Sequence, residues 1–168
     1  MNILSLPTVT RLSELLFYEP ETGAFLWVES RGSKYQQGTI AGGISPAGYR
    51  RIMIDGVKYR ASRLAFKIMT GRDPVNLVDH INGCRSDDRW ANLREATYSE
   101  NCMNAAQRKD NRCGLKGVFF HKKSGRFVAR IAVNGKQSHL GEFGTPEAAH
   151  AAYVAAAYRL HGAYARVL

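Results

Sequence analysis

Val78-Asp79-His80-Ile81-Asn82-Gly83, followed by Asp88-Arg89-Trp90-Ala91-Asn92-Leu93-Arg94 and then Ser99-Glu100-Asn101-Cys102, sets the Asp79 carboxylate, the His80 imidazole and the Asn92 and Asn101 carboxamides within about two dozen residues. Leu77-Val78 predicts entry into a short strand carrying Asp79-His80, and Asn82-Gly83 predicts a turn that sends the chain back. A helix is expected over residues 98–108, with Thr97 or Ser99 as its cap. Hydrolysing a phosphodiester calls for a general base and a cation held by hard oxygen ligands, and this segment has side chains for both. One constraint follows from strand geometry. Adjacent strand residues face opposite ways, so Asp79 and His80 can flank one target only where the strand ends or bends.

Outward from this segment the chain reads as short elements. Residues 49–54 and 57–59 flank Asp55-Gly56, a pair suited to the φ > 0 demand of a two-residue hairpin turn. A helix is predicted over residues 61–70, burying Leu64, Ala65 and Ile68 and ending at Gly71. Further upstream, Leu12, Leu15 and Leu16 fall at helical spacing over residues 10–18, Pro20-Glu21-Thr22-Gly23 makes a turn, and residues 24–28 read as a strand. Residues 29–48 are glycine-rich and read as loops and short strands, with Arg31 and Lys34 among them. Downstream, Asp110-Asn111-Arg112-Cys113-Gly114 is the best linker. Beyond it come strands at residues 117–121, 126–133 and 136–140, with turns at Lys123-Ser124-Gly125 and Asn134-Gly135. The final helix opens with Thr145 as cap, Pro146 at its first position and Glu147 complementing the dipole.

Composition bounds the partners. The chain has 168 residues, is 45% hydrophobic and carries a formal charge of +10, which suits a globular protein that meets nucleic acid. The charge is uneven. Residues 1–76 carry ten Lys/Arg against six Asp/Glu, residues 77–111 five against six, and residues 112–168 nine against two. The candidate chemical segment is near neutral and the C-terminal third is the electrostatic anchor. No apolar run approaches a membrane span and no secretory leader is visible, so a cytoplasmic protein is expected. Cys84, Cys102 and Cys113 fit neither a disulfide framework nor a paired-thiol zinc site and read as reduced thiols.

The run D-H-I-N-G, then N-L-R, then S-E-N resembles the HNH nuclease motif, in the variant whose final histidine is replaced by asparagine. That variant is typical of phage and intron-encoded homing endonucleases. Arg63-Leu64-Ala65-Phe66 and residues 71–78 resemble the approach to the motif, so the resemblance spans about residues 49–108. It implies a ββα-metal fold with His80 as general base and Asn92 bracing the loop that fixes it. It implies also that Asp79 and Asn101 bind one divalent cation, Mg²⁺ or Mn²⁺, which suits their oxygen donors. Ser62 stands where members of this group often carry a histidine. Asn101, a neutral ligand in place of the final histidine, implies weaker cation affinity. Of the other polar residues, Asp87 and Asp88 are expected in salt bridges with Arg85, Arg89 or Arg94. Trp90 is expected in the core, and Arg63 and Arg94 either clamp phosphate or form structural ion pairs.

Lys116-Gly117-Val118, Phe127-Val128-Ala129-Arg130-Ile131, Leu140-Gly141-Glu142-Phe143 and the Ala-rich helix ending at Leu160-His161-Gly162 resemble the plant ethylene-response-factor (APETALA-type) DNA-binding domain, which also occurs appended to phage HNH enzymes. The resemblance covers about residues 114–168 and implies a three-stranded sheet in the DNA major groove, backed by the helix. Strand alternation then turns Val118, Phe120, Phe127, Ala129, Ile131 and Leu140 to the helix. Phe119, His121, Arg126, Arg130, Gln137 and His139 turn to DNA, with Lys116, Lys122, Lys123 and Lys136 near phosphates. Arg130 is the best base reader, since guanidinium bonds guanine in two places. The tryptophan usual on this face in the family is absent.

The expected architecture is α+β, a ββα-metal HNH module joined to a three-stranded antiparallel sheet packed on one helix. Its segments are 1–48 (helix, strands and loops, with Arg31, Lys34, Arg50 and Arg51 lengthening the DNA footprint), 49–110 (nuclease module) and 114–168 (DNA-binding domain). The expected function is metal-dependent, site-preferring nicking of double-stranded DNA by a monomeric enzyme of a phage or mobile element. Two alternatives stay open: a DNA-binding regulator with a degenerate HNH module, and a nucleic-acid packaging protein.

Overall fold

The computed structural model describes residues 5–30, 32, 33, 35–107 and 110–167; Arg31 and Lys34, and the end of the predicted helix at Arg108, lie outside the described residues. The architecture is mixed α and β, with small sheets and short helices, and the chain divides into two compact units, residues 1–95 and 96–168. Among the described residues no helix is long and apolar enough to cross a membrane.

The first unit opens with α1 (Val9–Leu15), whose Thr8 cap accepts from the Arg11 amide at 3.1 Å. The predicted helix over residues 10–18 is cut short because Leu16 begins β1 (Leu16–Glu19), paired with β2 (Ala24–Trp27). Leu16 is buried from the strand as well as it would be from a helix, so the spacing of the three leucines fits both. A three-stranded sheet follows, in the order β3 (Gly43–Ile44), β4 (Arg50–Ile54), β5 (Val57–Arg60). Asp55 at φ 47° and Gly56 at φ 81° make the two-residue turn between β4 and β5. The chain passes without a break into α2 (Ala61–Thr70), which Gly71 ends in the left-handed region at φ 76°. Leu64, Ala65 and Phe66 of α2 share one core with Leu12, Phe25, Trp27, Ile52, Ile54, Val78 and Leu93. Each large member contributes about 1.5–3 kcal/mol on burial. That core places β6 (Leu77–His80), which pairs with β7 (Leu93–Ala96) after a 3₁₀ turn at Trp90–Asn92.

In the second unit, α3 (Tyr98–Met103) is shorter than the 98–108 helix expected. A capping box holds its start, with the Thr97 hydroxyl accepting from the Glu100 amide and the Glu100 carboxylate from the Thr97 amide. The sheet has the antiparallel order β10 (Lys136–Phe143), β9 (Arg126–Val133), β8 (Val118–His121), backed by α4 (Pro146–His161). Its core joins Val118, Ala129 and Ile131 to Ala149, Tyr153, Ala156 and Ala157, so the small residues of α4 let the helix lie close. β10 runs three residues past its predicted end because a bulge between His139 and Gly141 absorbs Leu140 and the pairing resumes.

Candidate functional site

β6 ends at His80, and its last three residues, Val78, Asp79 and His80, are all buried. Covering on both faces lets these neighbours do different work. Val78 joins the core of the first unit. Arg94 of β7 donates from Nε to Asp79 Oδ2 at 3.0 Å, and its Nη2 lies 3.0 Å from the same oxygen. The imidazole Nε2 of His80 lies 3.0 Å from Asp88 Oδ1, with both side chains almost wholly enclosed. Asp88 was expected to pair with an arginine; its partner is the histidine. Asp87, beside it, does meet Arg89, at 2.7 and 2.6 Å, and also accepts from Asn82 Nδ2 at 2.7 Å. The Arg89 guanidinium thereby holds the Asp87 carboxyl well below the usual range, down to about 2.

Asn92 ties the ends of the intervening loop. Its Oδ1 accepts from the Asn82 amide at 2.9 Å, its Nδ2 donates to the Asp87 carbonyl at 2.8 Å, and its own carbonyl accepts from the Ile81 amide at 2.9 Å. A carboxamide is the side chain that can both donate and accept in this way. The first unit therefore gathers Asp79, His80 and Asn92 around one loop. Asn101 is carried by α3 of the second unit.

Three further residues lie beside His80: Arg60, which the sequence reading did not single out, Tyr49, read only as part of a hairpin, and Arg85, expected in a salt bridge with Asp87 or Asp88. The Tyr49 ring lies 6.0 Å from the His80 ring, with the Arg60 guanidinium 4.2 Å and the Arg85 guanidinium 5.0 Å from its centre. Arg85 also donates to the Ala47 carbonyl at 3.0 Å. Two cations stacked on an aromatic beside His80 form a patch suited to an anion. Nothing in the linear pattern joins residues 49, 60, 80 and 85.

Among the described residues no group of three or more His, Cys, Asp or Glu is gathered to hold a metal. The donors left are the Asp79 carboxylate and the Asn101 carboxamide. Both are hard oxygens, and Mg²⁺ is commonly held by one or two carboxylates together with waters and substrate phosphate. Taken singly, each is a donor of the kind such a cation takes.

In the second unit, pairing places Phe119 opposite Val128, His121 opposite Arg126, Arg130 opposite His139 and Gln137 opposite Ala132, on the sheet face away from α4. Arg126, Arg130, Gln137 and His139 are exposed, as are Lys123 and Lys136 at the hairpin turns. The Arg130 guanidinium stacks on the Phe119 ring at 4.5 Å, which limits its freedom. Glu142 also lies on this face, opposite Val128, and went unremarked in the sequence. Lys116 differs from expectation. Its Nζ donates to the carbonyls of Met103, Ala105 and Arg166 at 2.8, 2.7 and 2.7 Å, and burial pushes its ammonium down to about 8. Its three donors are spent within its own unit, where they stitch backbone segments together, so it is not left to meet a phosphate.

Comparison with known proteins finds two family matches, the first of which runs across the boundary between the two units. Residues 59–103 match the HNH endonuclease family and residues 113–163 match the AP2 domain. A stretch of 93 residues, 53% of this chain, is 34% identical to Protein 3.8 of Escherichia phage T7 and covers 73% of that relative. The chain belongs to the same family as that phage protein, and carries within it an HNH endonuclease-like domain followed by an AP2 DNA-binding domain.

Proposed function

We propose that the chain is a metal-dependent endonuclease that hydrolyses one strand of double-stranded DNA at preferred sites. The observation that carries this reading is the end of β6, where Asp79 and His80 stand side by side just before a loop pinned by Asn92, within the HNH-matched residues. His80 accepts the proton of the attacking water as the water oxygen bonds to phosphorus and the P–O3′ bond breaks; the leaving 3′ oxygen takes a proton from solvent, giving 5′-phosphate and 3′-hydroxyl ends. Asn92 keeps that loop, and hence the imidazole, in place. Asp79 and Asn101 hold one divalent cation, Mg²⁺ or Mn²⁺. When bound, it neutralises charge that develops on the phosphate. Arg60 and Arg85, stacked on Tyr49, steady the phosphate beside His80. This nuclease module occupies residues 49–110, preceded by a supporting segment, 1–48, and followed by the DNA-binding domain, 114–168.

The β8–β9–β10 sheet supplies the grip. Arg130 reads base edges from its seat on Phe119, with His121, Arg126, Gln137 and His139 around it, and Lys123 and Lys136 meet phosphates. A single such site suits a monomer that nicks, and the kinship with a phage protein suits a phage or homing-type mobile element.

Supercoiled plasmid incubated with the protein and Mg²⁺ or Mn²⁺ tests the reading. We expect relaxed circles, abolished by EDTA. Tight DNA binding with no relaxation under either metal contradicts it and favours a DNA-binding regulator with a degenerate nuclease module.

A further inference from the structure

The partner of His80 is a residue that neither the motif nor the family match assigns. Asp88 is 2% exposed and His80 4%. A carboxylate so enclosed is costly unless it is paired. Asp88 spends its side-chain hydrogen bonding in one direction only. Oδ1 meets His80 Nε2 at 3.0 Å, while Oδ2 is buried and has no hydrogen-bond partner among the described residues. The contrast with Asp87 is informative, since both oxygens of that carboxylate are satisfied by Arg89 and Asn82. A purely structural aspartate would be expected to satisfy itself as Asp87 does. Asp88 instead faces the imidazole.

The chemistry of that contact is directional. An ionised carboxylate only accepts, so Nε2 carries the hydrogen and the lone pair of the neutral ring sits on Nδ1. The contact thereby selects the tautomer and fixes the plane of the ring.

Asp88 is itself held from outside the matched nuclease segment. The Tyr18 hydroxyl of β1 donates to the Asp88 carbonyl at 2.7 Å. Two residues on, the Trp90 amide donates to the Pro20 carbonyl at 2.9 Å. Between β1 and β2, Gly23 at φ 73° lies so close to residues 88 and 89 that a Cβ there would run into their backbone. Tyr18 is fully enclosed and its ring packs on Phe25, 4.7 Å centre to centre. The β1–β2 hairpin thus grips the chain at Asp88 and the two residues after it, at three points, across some seventy residues of sequence.

We infer that Asp88 is a positioning residue for His80, fixing its tautomer and orientation, and that the β1–β2 hairpin acts as the brace that holds Asp88 to this task. The inference rests on the nuclease reading above. It makes the N-terminal hairpin a support for the catalytic apparatus.

The test uses the full chain, in single-turnover plasmid nicking and DNA-affinity measurements on wild type, Asp88→Asn, Tyr18→Phe and His80→Ala, together with ring-¹⁵N NMR of His80. Asp88→Asn preserves volume while removing the acceptor-only character, and nothing on the Oδ2 side fixes the amide orientation. We expect hydrogen on Nε2 in the wild type, a changed tautomer population in Asp88→Asn, and a nicking rate down at least about 100-fold at unchanged DNA affinity. Tyr18→Phe deletes one hydroxyl and serves if Asp88→Asn does not fold; its expected loss is about three- to ten-fold, again at unchanged affinity. If His80→Ala is dead while the Asp88→Asn and Tyr18→Phe proteins nick at the wild-type rate, the inference is overturned and the nuclease reading stands. Hydrogen on Nδ1 in the wild type overturns it as well. If the wild type does not nick, both fall together.

Discussion

Arg94 and Asp79 form the most enclosed arginine–carboxylate pair in the described residues, with side chains 15% and 8% exposed. Removing one partner of such a pair weakens the hold on the other charge, which costs up to about 3–5 kcal/mol. Arg94→Met should therefore lower the urea midpoint of the first unit by a corresponding amount. Because Asp79 is also the proposed cation ligand, millimolar Mg²⁺ should restore part of that loss; an unaltered midpoint in Mg²⁺ argues against Asp79 as a ligand. Asp87 gives a pH signature. Its folded pKa, about 2, lies below the ordinary carboxylate value of about 3.9. The stability it contributes is complete above about pH 4 and is lost as pH falls through about 2. Acid unfolding of Asp87→Asn should be the shallower of the two across that window, and identical curves would remove Asp87 from the account. These residues also mark the limit of linear reading. The DHxxG, NLR and SEN runs are legible because their chemistry is local, and Asn92 hydrogen-bonds to the loop at Asn82 and Asp87. Asp88 and Lys116 were misjudged because sequence shows a charge but not its partner. Their partners are His80 in one case and carbonyls at 103, 105 and 166 in the other.

At the scale of elements, the ones predicted well carry their own punctuation. Asp55-Gly56 makes its turn, Gly71 stops α2, and Thr145-Pro146 starts α4. The ones missed are set by partners. β1 was absorbed into a predicted helix because Leu16 is buried either way, and β7 went unseen because Leu93, Arg94, Glu95 and Ala96 do not alternate. α3 stops at Met103 although residues of good helix propensity follow, so propensity alone did not decide its length. The sheet of the second unit was readable through its alternation, apart from the bulge at Leu140. That face makes a prediction of its own. With a preferred site selected from random DNA, Arg130→Ala should lose about 1–3 kcal/mol of affinity there and less on unrelated DNA. Equal loss on every sequence reassigns Arg130 to a phosphate contact.

For the whole molecule, chemistry and grip are divided along the chain. Residues 77–111 are near neutral, whereas residues 112–168 carry nine Lys/Arg against two Asp/Glu, so affinity for a polyanion is concentrated where the AP2 match lies. The nuclease segment in turn depends on residues well outside its family match. The β1–β2 hairpin holds the loop that follows β6, and Leu12 and Phe25 share the core that carries Val78 of β6. Everything proposed about catalysis converges on one imidazole. The direct measurement is single-turnover cleavage of saturated plasmid in Mg²⁺ by wild type and His80→Ala, with DNA affinity measured in parallel. The account predicts a rate lower by on the order of a hundred- to ten-thousand-fold at unchanged affinity. Cleavage by His80→Ala at the wild-type rate contradicts it.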